Sequence, residues 1–273
     1  MAEDIYKFKL ALVLGRGKRL KKMLKKYPTE KKFKKASQEE IAEVIGIKNL
    51  QSKTMTRLTS LDTTYDKMVT FKTESFWSKD PNASRIMGID TEYLKSDLDC
   101  IQYVVVEDLK PITSGFIFTN SDLAPSVSVK EGIDKLRDVI SEYNPDIFVG
   151  HNFNSDISIM ENAYGFTLPE LYSYDDTMDF MDKSNLANII GGFSLDKAIE
   201  KVFLEESVGL FKAYNDLSLL IEYGIKDALY PIFLRYYLMN GELPKIDFEV
   251  ELENLVKEEN RKLLTSQSFS FSF

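Results

Sequence analysis

Cysteine and histidine are nearly missing from this sequence, which contains one of each, Cys100 and His151. A single cysteine excludes a disulfide within the chain, so we expect a reducing, intracellular setting, cytoplasmic or nucleoid-associated. A single histidine excludes a metal site built from several imidazoles and leaves little scope for a zinc site of histidine and cysteine. No apolar run approaches the ~20 residues of a membrane span, and we expect neither a signal peptide nor a membrane partner.

Charge is present in quantity but is divided unevenly. Residues 1–80 contain 19 lysines and arginines against 10 aspartates and glutamates, a balance of +9. Residues 81–273 contain 16 against 33, a balance of −17. A hydrophobic content of 44% is enough for the cores of one large or two small domains. A basic segment joined to an acidic body predicts that one part binds a polyanion and the other has a different task.

Two glycine turns divide the basic segment. The stretches Gly15-Arg16-Gly17-Lys18 and Gly46-Ile47-Lys48-Asn49 each follow an apolar run and precede a helical one. Between them, Ser37 and Glu40 have the spacing of a capping box at a helix start. An apolar stripe on a lysine-coated helix is formed by Leu20, Met23 and Leu24.

This segment, residues 1–75, resembles a tandem helix–hairpin–helix domain of the kind attached to structure-specific nucleases and repair proteins. The resemblance implies phosphate binding, because glycines let the hairpin backbone approach closely and helix N-terminal amides point at the anion. The residues implied are Gly15, Gly17, Lys18, Gly46, Lys48 and Asn49. Two positions depart from the pattern: Lys48 replaces a glycine, and Arg16 replaces an apolar residue. The alternative is a helical bundle that serves as a spacer or a protein-interaction module.

From Arg85 onward the pattern changes to strands. Three β-branched or aromatic runs separated by turn residues predict an antiparallel meander over 85–94, 100–108 and 112–120. Patterns then alternate, predicting helices over 130–143, 155–165, 194–206 and 214–239 and strands over 146–152 and 172–178. Three strands followed by alternating helix and strand predict an α/β body with a mixed sheet.

Acidic residues recur at three points of this α/β pattern. Asp90 and Glu92 are two apart on a predicted strand, so their side chains share a face, where two carboxylates repel unless a cation lies between them. Asp156 begins a helix after a later strand. Tyr223 and Asp227 are four apart on one helix, about 6 Å from each other. Each piece alone could be a solvent-facing pair or a surface hydrogen bond, but the three in this order favour one site.

The stretches "GIDTEY", "NPDIFVGHNFNSD" and "YGIKDALYP" resemble the three motifs of the DEDD superfamily of 3′–5′ exonucleases, in the branch with tyrosine in the third motif. The resemblance is nearest to the proofreading domains of family B DNA polymerases and covers residues 84–240. It implies a ribonuclease H-like mixed-sheet exonuclease domain over 85–243, after the small all-α helix–hairpin–helix domain and a linker over 76–84. Ser155 and Pro231 depart from the pattern, but neither change removes a ligand.

The resemblance also implies two Mg²⁺ or Mn²⁺ ions and a role for each motif residue. Glu92 and Asp227 would hold the ion that activates water. Asp90 would bridge both ions, and Asp156 would support the second one through water. Tyr223 would orient the attacking water, because an ordinary phenol with a pKa near 10 is a poor base at neutral pH.

Two neighbouring residues would have supporting roles. Asn152 would hydrogen-bond the terminal nucleotide of the substrate. His151 would be positional, because the place of the catalytic histidine in the histidine-type branch, five residues before Asp227, is taken by Glu222.

Residues 244–273 are predicted to form a C-terminal helix and a phenylalanine-rich tail. The helical spacing in 247–264 indicates a packed helix or a dimer contact. The tail "TSQSFSFSF" partly resembles peptides that bind sliding clamps, with Phe269 and Phe273 at the two hydrophobic positions and Gln267 one place late. The alternatives for the tail are an edge strand and a disordered end.

Three functions remain open from the sequence. The first is a metal-dependent 3′–5′ DNA exonuclease of DNA repair or replication that cleaves phosphodiester bonds with two metal ions. The second is an exoribonuclease of RNA processing, although helix–hairpin–helix modules more often bind DNA. The third is a catalytically silent scaffold that binds DNA or a sliding clamp. Silent relatives usually lose a ligand, and none of the four carboxylates is missing here.

Overall fold

The computed structural model describes residues 2–15, 17–61, 78–94, 97–203, 205, 213–241, 243–244 and 246–269. Within these ranges a helical bundle extends to residue 61 and an α/β body begins at residue 78. Phe76 and Trp77, at the start of the predicted linker, lie outside the described residues.

The N-terminal bundle is built from short helices with polar caps. Its helices are α1 (Ala2–Leu14), α2 (Lys18–Lys26), α3 (Glu30–Phe33), α4 (Gln38–Ile45) and α5 (Lys53–Thr59). The predicted capping box is confirmed, because the Glu40 amide donates to Ser37 Oγ at 3.2 Å and the Ser37 amide donates to Glu40 Oε2 at 2.8 Å. Tyr6, Met23 and Met55 are fully buried in the core of this bundle.

The bundle repeats one helix–turn–helix unit. Helix α1 packs on α2 and α5, and helix α4 packs on the same two helices. The first unit, α1-α2, and the second unit, α4-α5, therefore make equivalent contacts with each other. Both first helices end at a glycine in the left-handed region, Gly15 at φ 67° and Gly46 at φ 68°. A glycine is favoured at this position because a Cβ would clash with the local backbone.

The body contains one five-stranded sheet. Its strands are β1 (Arg85–Leu94), β2 (Asp97–Glu107), β3 (Lys110–Phe118), β4 (Ile147–Gly150) and β5 (Tyr174–Asp176), in the order β3-β2-β1-β4-β5. Strand β2 runs antiparallel to β1 and β3, whereas β1, β4 and β5 are parallel. The predicted α/β class, the meander and the mixed sheet are therefore confirmed.

Helices cover both faces of this sheet. The helices of the body are α6 (Val129–Tyr143), α7 (Phe153–Tyr164), α8 (Thr177–Lys183), α9 (Leu186–Ile190), α10 (Leu195–Ala198), α11 (Leu217–Asn240) and α12 (Phe248–Phe269). One face packs on α6 and α7, and the other packs on α11 and α12. No helix in the described ranges combines the length and the apolar character needed to cross a membrane.

Two helical predictions are refined by the structure, and two helices were not predicted. The helix predicted over 194–206 is present as α10 followed directly by a π-helical turn, Ile199–Phe203, so it changes its type rather than staying α-helical. Helices α8 and α9 were not predicted. The tail predicted from Thr265 begins inside α12, which continues to Phe269, and residues 270–273 lie outside the described part.

Two glycines allow α11 to lie directly on the sheet. A Cβ at Gly88 of β1 would lie 1.9 Å from the carbonyl oxygen of Ala228. A Cβ at Gly224 would lie 2.8 Å from Phe116 Cε1 and 3.2 Å from Gln102 Cδ. Since real Cβ atoms do not approach this closely, any side chain at Gly88 would force the helix away from β1. The close contact places the residue before Ala228, Asp227, over the second half of β1.

Candidate metal centre

Three carboxylates meet where α11 crosses β1. Asp90, Glu92 and Asp227 each offer an oxygen within 4.8 Å of the other two. Glu92 is buried, and Asp90 and Asp227 are half-buried. The predicted sharing of one strand face by Asp90 and Glu92 brings them toward α11, while the intervening Thr91 points to the other face. Oxygen ligands at this spacing suit a hard divalent cation.

Asp156 stands beside this group rather than within it. Among the described residues it is not one of the three carboxylates that converge. Its Oδ1 accepts two hydrogen bonds from Thr91, from Oγ1 at 2.6 Å and from the backbone amide at 3.1 Å. Its charge still acts on Asp90 more strongly than that of any other neighbouring carboxylate. The structure therefore brings three of the four predicted ligands together and places the fourth next to them.

Burial raises the pKa of all four carboxyl groups, and the charges of nearby carboxylates raise it further. Burial raises the pKa of Glu92 to about 8, and those of Asp156 and Asp227 to about 7. The pKa of Asp90 rises well above its ordinary value, through burial first and then through the charges of Asp156, Asp227 and Glu92. Because like charges this close disfavour full ionisation, a cation is the natural partner that would let all four ionise at neutral pH.

Tyr223 extends the site from the next turn of α11. Its hydroxyl donates a hydrogen bond to Asp227. Burial and the charges of Asp227 and Glu92 raise the pKa of this phenol further above its ordinary value. The hydroxyl is therefore neutral at physiological pH and acts as a donor, which fits the predicted orienting role better than that of a base.

An open cavity of about 360 Å³ reaches the site at Asp227 and Tyr223. Its lining consists of His151, Asn152, Met178, Phe193, Ser194, Leu195, Asp196, Tyr223 and Asp227. The predicted residue Asn152 therefore lines this cavity. The sequence analysis did not predict Phe193 and Asp196 as site residues. The sequence does indicate a helix start at Ser194, but a helix start does not show which part of the protein the helix faces.

The turn between β4 and α7 is fixed by a carboxylate from β5. Asn152 lies in the left-handed region at φ 62°. Asp176 accepts hydrogen bonds at 2.9 Å from the amides of Asn152 and Phe153. His151 contacts Thr177 Oγ1 at 2.9 Å through Nδ1 and donates from Nε2 to the Phe193 carbonyl at 2.5 Å. These contacts give His151 a structural role at the edge of the cavity.

The predicted hairpin residues are all exposed. Beyond the adjacent residues of the chain, a Cβ built at Gly15, Gly17 or Gly46 would meet nothing within 4 Å, so the backbone at both turns is open to an approaching ligand. The Asn49 side chain has a local role, because its Oδ1 accepts from the Gln51 amide at 2.9 Å.

No known family model matches the chain, and a search of curated proteins finds no significant match.

The raised pKa values predict a stability that depends on pH and metal together. Carboxyls whose folded pKa exceeds the ordinary 3.8–4.5 stabilise the fold below that range and lose this contribution as the pH rises through about 7–8. A divalent cation binds the ionised form, so Mn²⁺ is expected to raise the unfolding temperature more at pH 8 than at pH 6. Scanning calorimetry with and without Mn²⁺ measures this difference. Asp227→Asn should reduce the difference between the shifts at pH 8 and pH 6. An equal shift of the wild-type unfolding temperature at both pH values would contradict the assignment of a metal centre.

Proposed function

We propose that this chain is a metal-dependent 3′–5′ exonuclease that hydrolyses phosphodiester bonds of DNA, in repair or replication. The observation that carries the proposal is the convergence of Asp90, Glu92 and Asp227 within 4.8 Å, with Tyr223 bonded to Asp227. Mg²⁺ and Mn²⁺ are the ions that suit a site made only of carboxylate oxygens.

The architecture of the body supports the same proposal. The ligands come from β1, from the helix after β4 and from the long late helix α11, which is the order in which the three motifs of the DEDD exonucleases occur. The sheet has the predicted meander followed by parallel strands. A ribonuclease H-like fold for residues 85–243 is part of the proposal.

Each residue has a defined task in this proposal. Two divalent cations, when bound, would stabilise the attacking and leaving oxygens of the phosphodiester together. Glu92 and Asp227 would hold one ion, Asp90 would contact both, and Asp156 would support the second through water. Tyr223 would orient the attacking water with its neutral hydroxyl.

The cavity beside the carboxylates is the proposed place of the terminal nucleotide. Its volume of about 360 Å³ lies within the roughly 300–1,000 Å³ usual for small-molecule sites. Asn152 offers an amide on one wall, and Phe193 offers a half-exposed ring on another. A base could stack on the ring while the amide bonds the sugar or the base.

The N-terminal bundle is the proposed DNA-binding domain, of the tandem helix–hairpin–helix type. The repeated unit, the two left-handed glycines and the open backbone at both turns support this assignment. Lysines on α2 add positive charge beside the first turn. Binding through backbone amides and lysines would depend little on sequence and strongly on salt.

Three exposed lysines of α2 are replaced by glutamine in the next variant: Lys18, Lys21 and Lys25. We expect this variant to bind DNA more weakly and with a smaller dependence on salt concentration. Each lost phosphate contact should lower the slope of log K against log salt by roughly 0.7–0.9. Fluorescence anisotropy at several salt concentrations measures the slope. The control triple variant changes Lys130, Lys135 and Lys257 on the acidic body, which removes the same charge. Equal slopes for the two variants would contradict the assignment of the bundle.

One assay tests the proposed reaction. End-labelled single-stranded, duplex and flapped DNA and RNA are incubated with the full chain, with and without Mg²⁺ or Mn²⁺. Stepwise shortening of DNA from the 3′ end, only with metal, is the expected result. Shortening of RNA alone would favour the exoribonuclease, and binding without cleavage would favour the silent scaffold. A sliding clamp added to the assay tests the predicted tail contact.

A further inference from the structure

We infer that Gln102 is a positioning residue that determines which oxygens of Asp90 and Glu92 face the cation. The inference rests on the proposed metal centre and deepens it. Gln102 lies outside the three motifs that the sequence analysis identified.

Gln102 lies directly opposite Asp90 in the antiparallel pair of β1 and β2. Its side chain is completely buried. The amide nitrogen Nε2 donates a short hydrogen bond to Asp90 Oδ2 and makes a long one of 3.5 Å to Glu92 Oε1. An amide nitrogen carries two hydrogens, so one group can serve both carboxylates.

The orientation of this amide is determined by its neighbours. With a cation bound, the carboxylates are ionised and only accept hydrogen bonds, so the nitrogen rather than the oxygen of Gln102 must face them. On the other side, Cys100 Sγ donates to Gln102 Oε1 at 3.4 Å. Gly224 of α11 leaves just enough space for the amide carbon, since a Cβ there would lie 3.2 Å from Gln102 Cδ. Strand, thiol and helix together hold the amide in one position.

The hydrogen bonds from Gln102 determine which carboxylate oxygens are left to bind a cation. The amide engages Asp90 Oδ2 and Glu92 Oε1, which leaves Asp90 Oδ1 and Glu92 Oε2 for a cation beside Asp227. A donor between two carboxylates also offsets part of their repulsion and fixes their rotamers. Partners that orient metal ligands in this way typically contribute about 10–100-fold to metal affinity.

The test measures Mn²⁺ binding to the full chain without substrate, by electron paramagnetic resonance titration. Gln102→Met keeps the length of the side chain and removes the donor. We expect its Kd for Mn²⁺ to rise about 10–100-fold, while cleavage at saturating Mn²⁺ recovers most of the wild-type rate. The control, Tyr103→Phe, removes a polar atom from the next residue of β2, which packs on the other face of the sheet. This control should bind Mn²⁺ like the wild type.

Equal Mn²⁺ affinity of Gln102→Met and the wild type would overturn the role of Gln102 and leave the proposed function standing. Failure of the wild type to bind Mn²⁺ would overturn the metal centre itself. Should Gln102→Met not fold, a crystal structure of the wild type with Mn²⁺ decides the question. We expect the Gln102 nitrogen at about 3 Å from Asp90 Oδ2, with Oδ1 on the ion. An amide turned away from both carboxylates would refute the inference.

Discussion

Asp90→Ala is expected to reduce metal-dependent cleavage of end-labelled DNA by about 1,000-fold or more, with DNA binding unchanged. Asp90 is the carboxylate proposed to contact both ions, and it lies within 4.8 Å of Glu92 and Asp227. Bound metal contributes several kcal/mol of transition-state stabilisation, and each ~1.4 kcal/mol is a factor of ten in rate. Single-turnover cleavage measures the loss, and anisotropy with labelled DNA measures binding.

The matched control for this experiment is Asp97→Ala. Asp97 is an exposed carboxylate at the start of β2, so its removal makes the same charge change in the same hairpin. Cleavage by this control should stay within a factor of two or so of the wild type, since surface substitutions have small effects. Cleavage by Asp90→Ala at the rate of Asp97→Ala would rule out the proposed centre.

Arg235→Met is expected to lower the free energy of unfolding by about 3–5 kcal/mol. The buried Asp175 carboxylate would keep hydrogen bonds from Ser78 and Lys79 but lose its charged partner. Arg235 Nε donates to Asp175 Oδ2 at 2.7 Å, and the side chains are only 5% and 1% exposed. The same guanidinium donates to Ser78 Oγ at 2.8 Å and to the Asp80 carbonyl at 2.6 Å. One side chain therefore ties the chain entering the body to β5 and α11. Urea unfolding at pH 7 measures the change.

Two further variants separate the buried charge from the lost packing. Arg235→Met combined with Asp175→Leu should be less destabilised than Arg235→Met alone, because no uncompensated charge remains. Lys257→Met breaks an exposed pair with Glu253, whose side chains are 67% and 63% exposed, and should cost at most a few tenths of a kcal/mol. If Arg235→Met costs no more than Lys257→Met, the buried pair does not stabilise the body.

Local patterns predicted much of this fold correctly. The first strand was predicted over 85–94 and is Arg85–Leu94. The capping box at Ser37 was also correct. These features depend on residues a few positions apart, for which strand alternation and capping rules hold whatever the rest of the chain does. The helix predicted over 194–206 is present, but its change to a π-helical turn where it packs against α11 was not predicted, because a helical period contains no information about that packing.

The candidate site, too, was predicted from the sequence only in part. The sequence predicted that Asp90 and Glu92 share a face and that Tyr223 lies one turn before Asp227. It could not predict that Asp156 bonds Thr91 on the opposite face of β1, because that depends on where α7 starts in space. It gave no signal for Gln102, which reaches the site through strand pairing.

By itself, the sequence determined most of the elements, the division of charge and the chemical identity of the candidate ligands, since all three depend on residue type and near-neighbour spacing. Tertiary structure alone decided which groups meet. Gly88 lets α11 approach β1, and Arg235 forms an ion pair with Asp175, which is 60 residues away in the sequence. Distances of a few ångströms between such groups depend on how whole elements pack, and local periodicity contains no information about that packing.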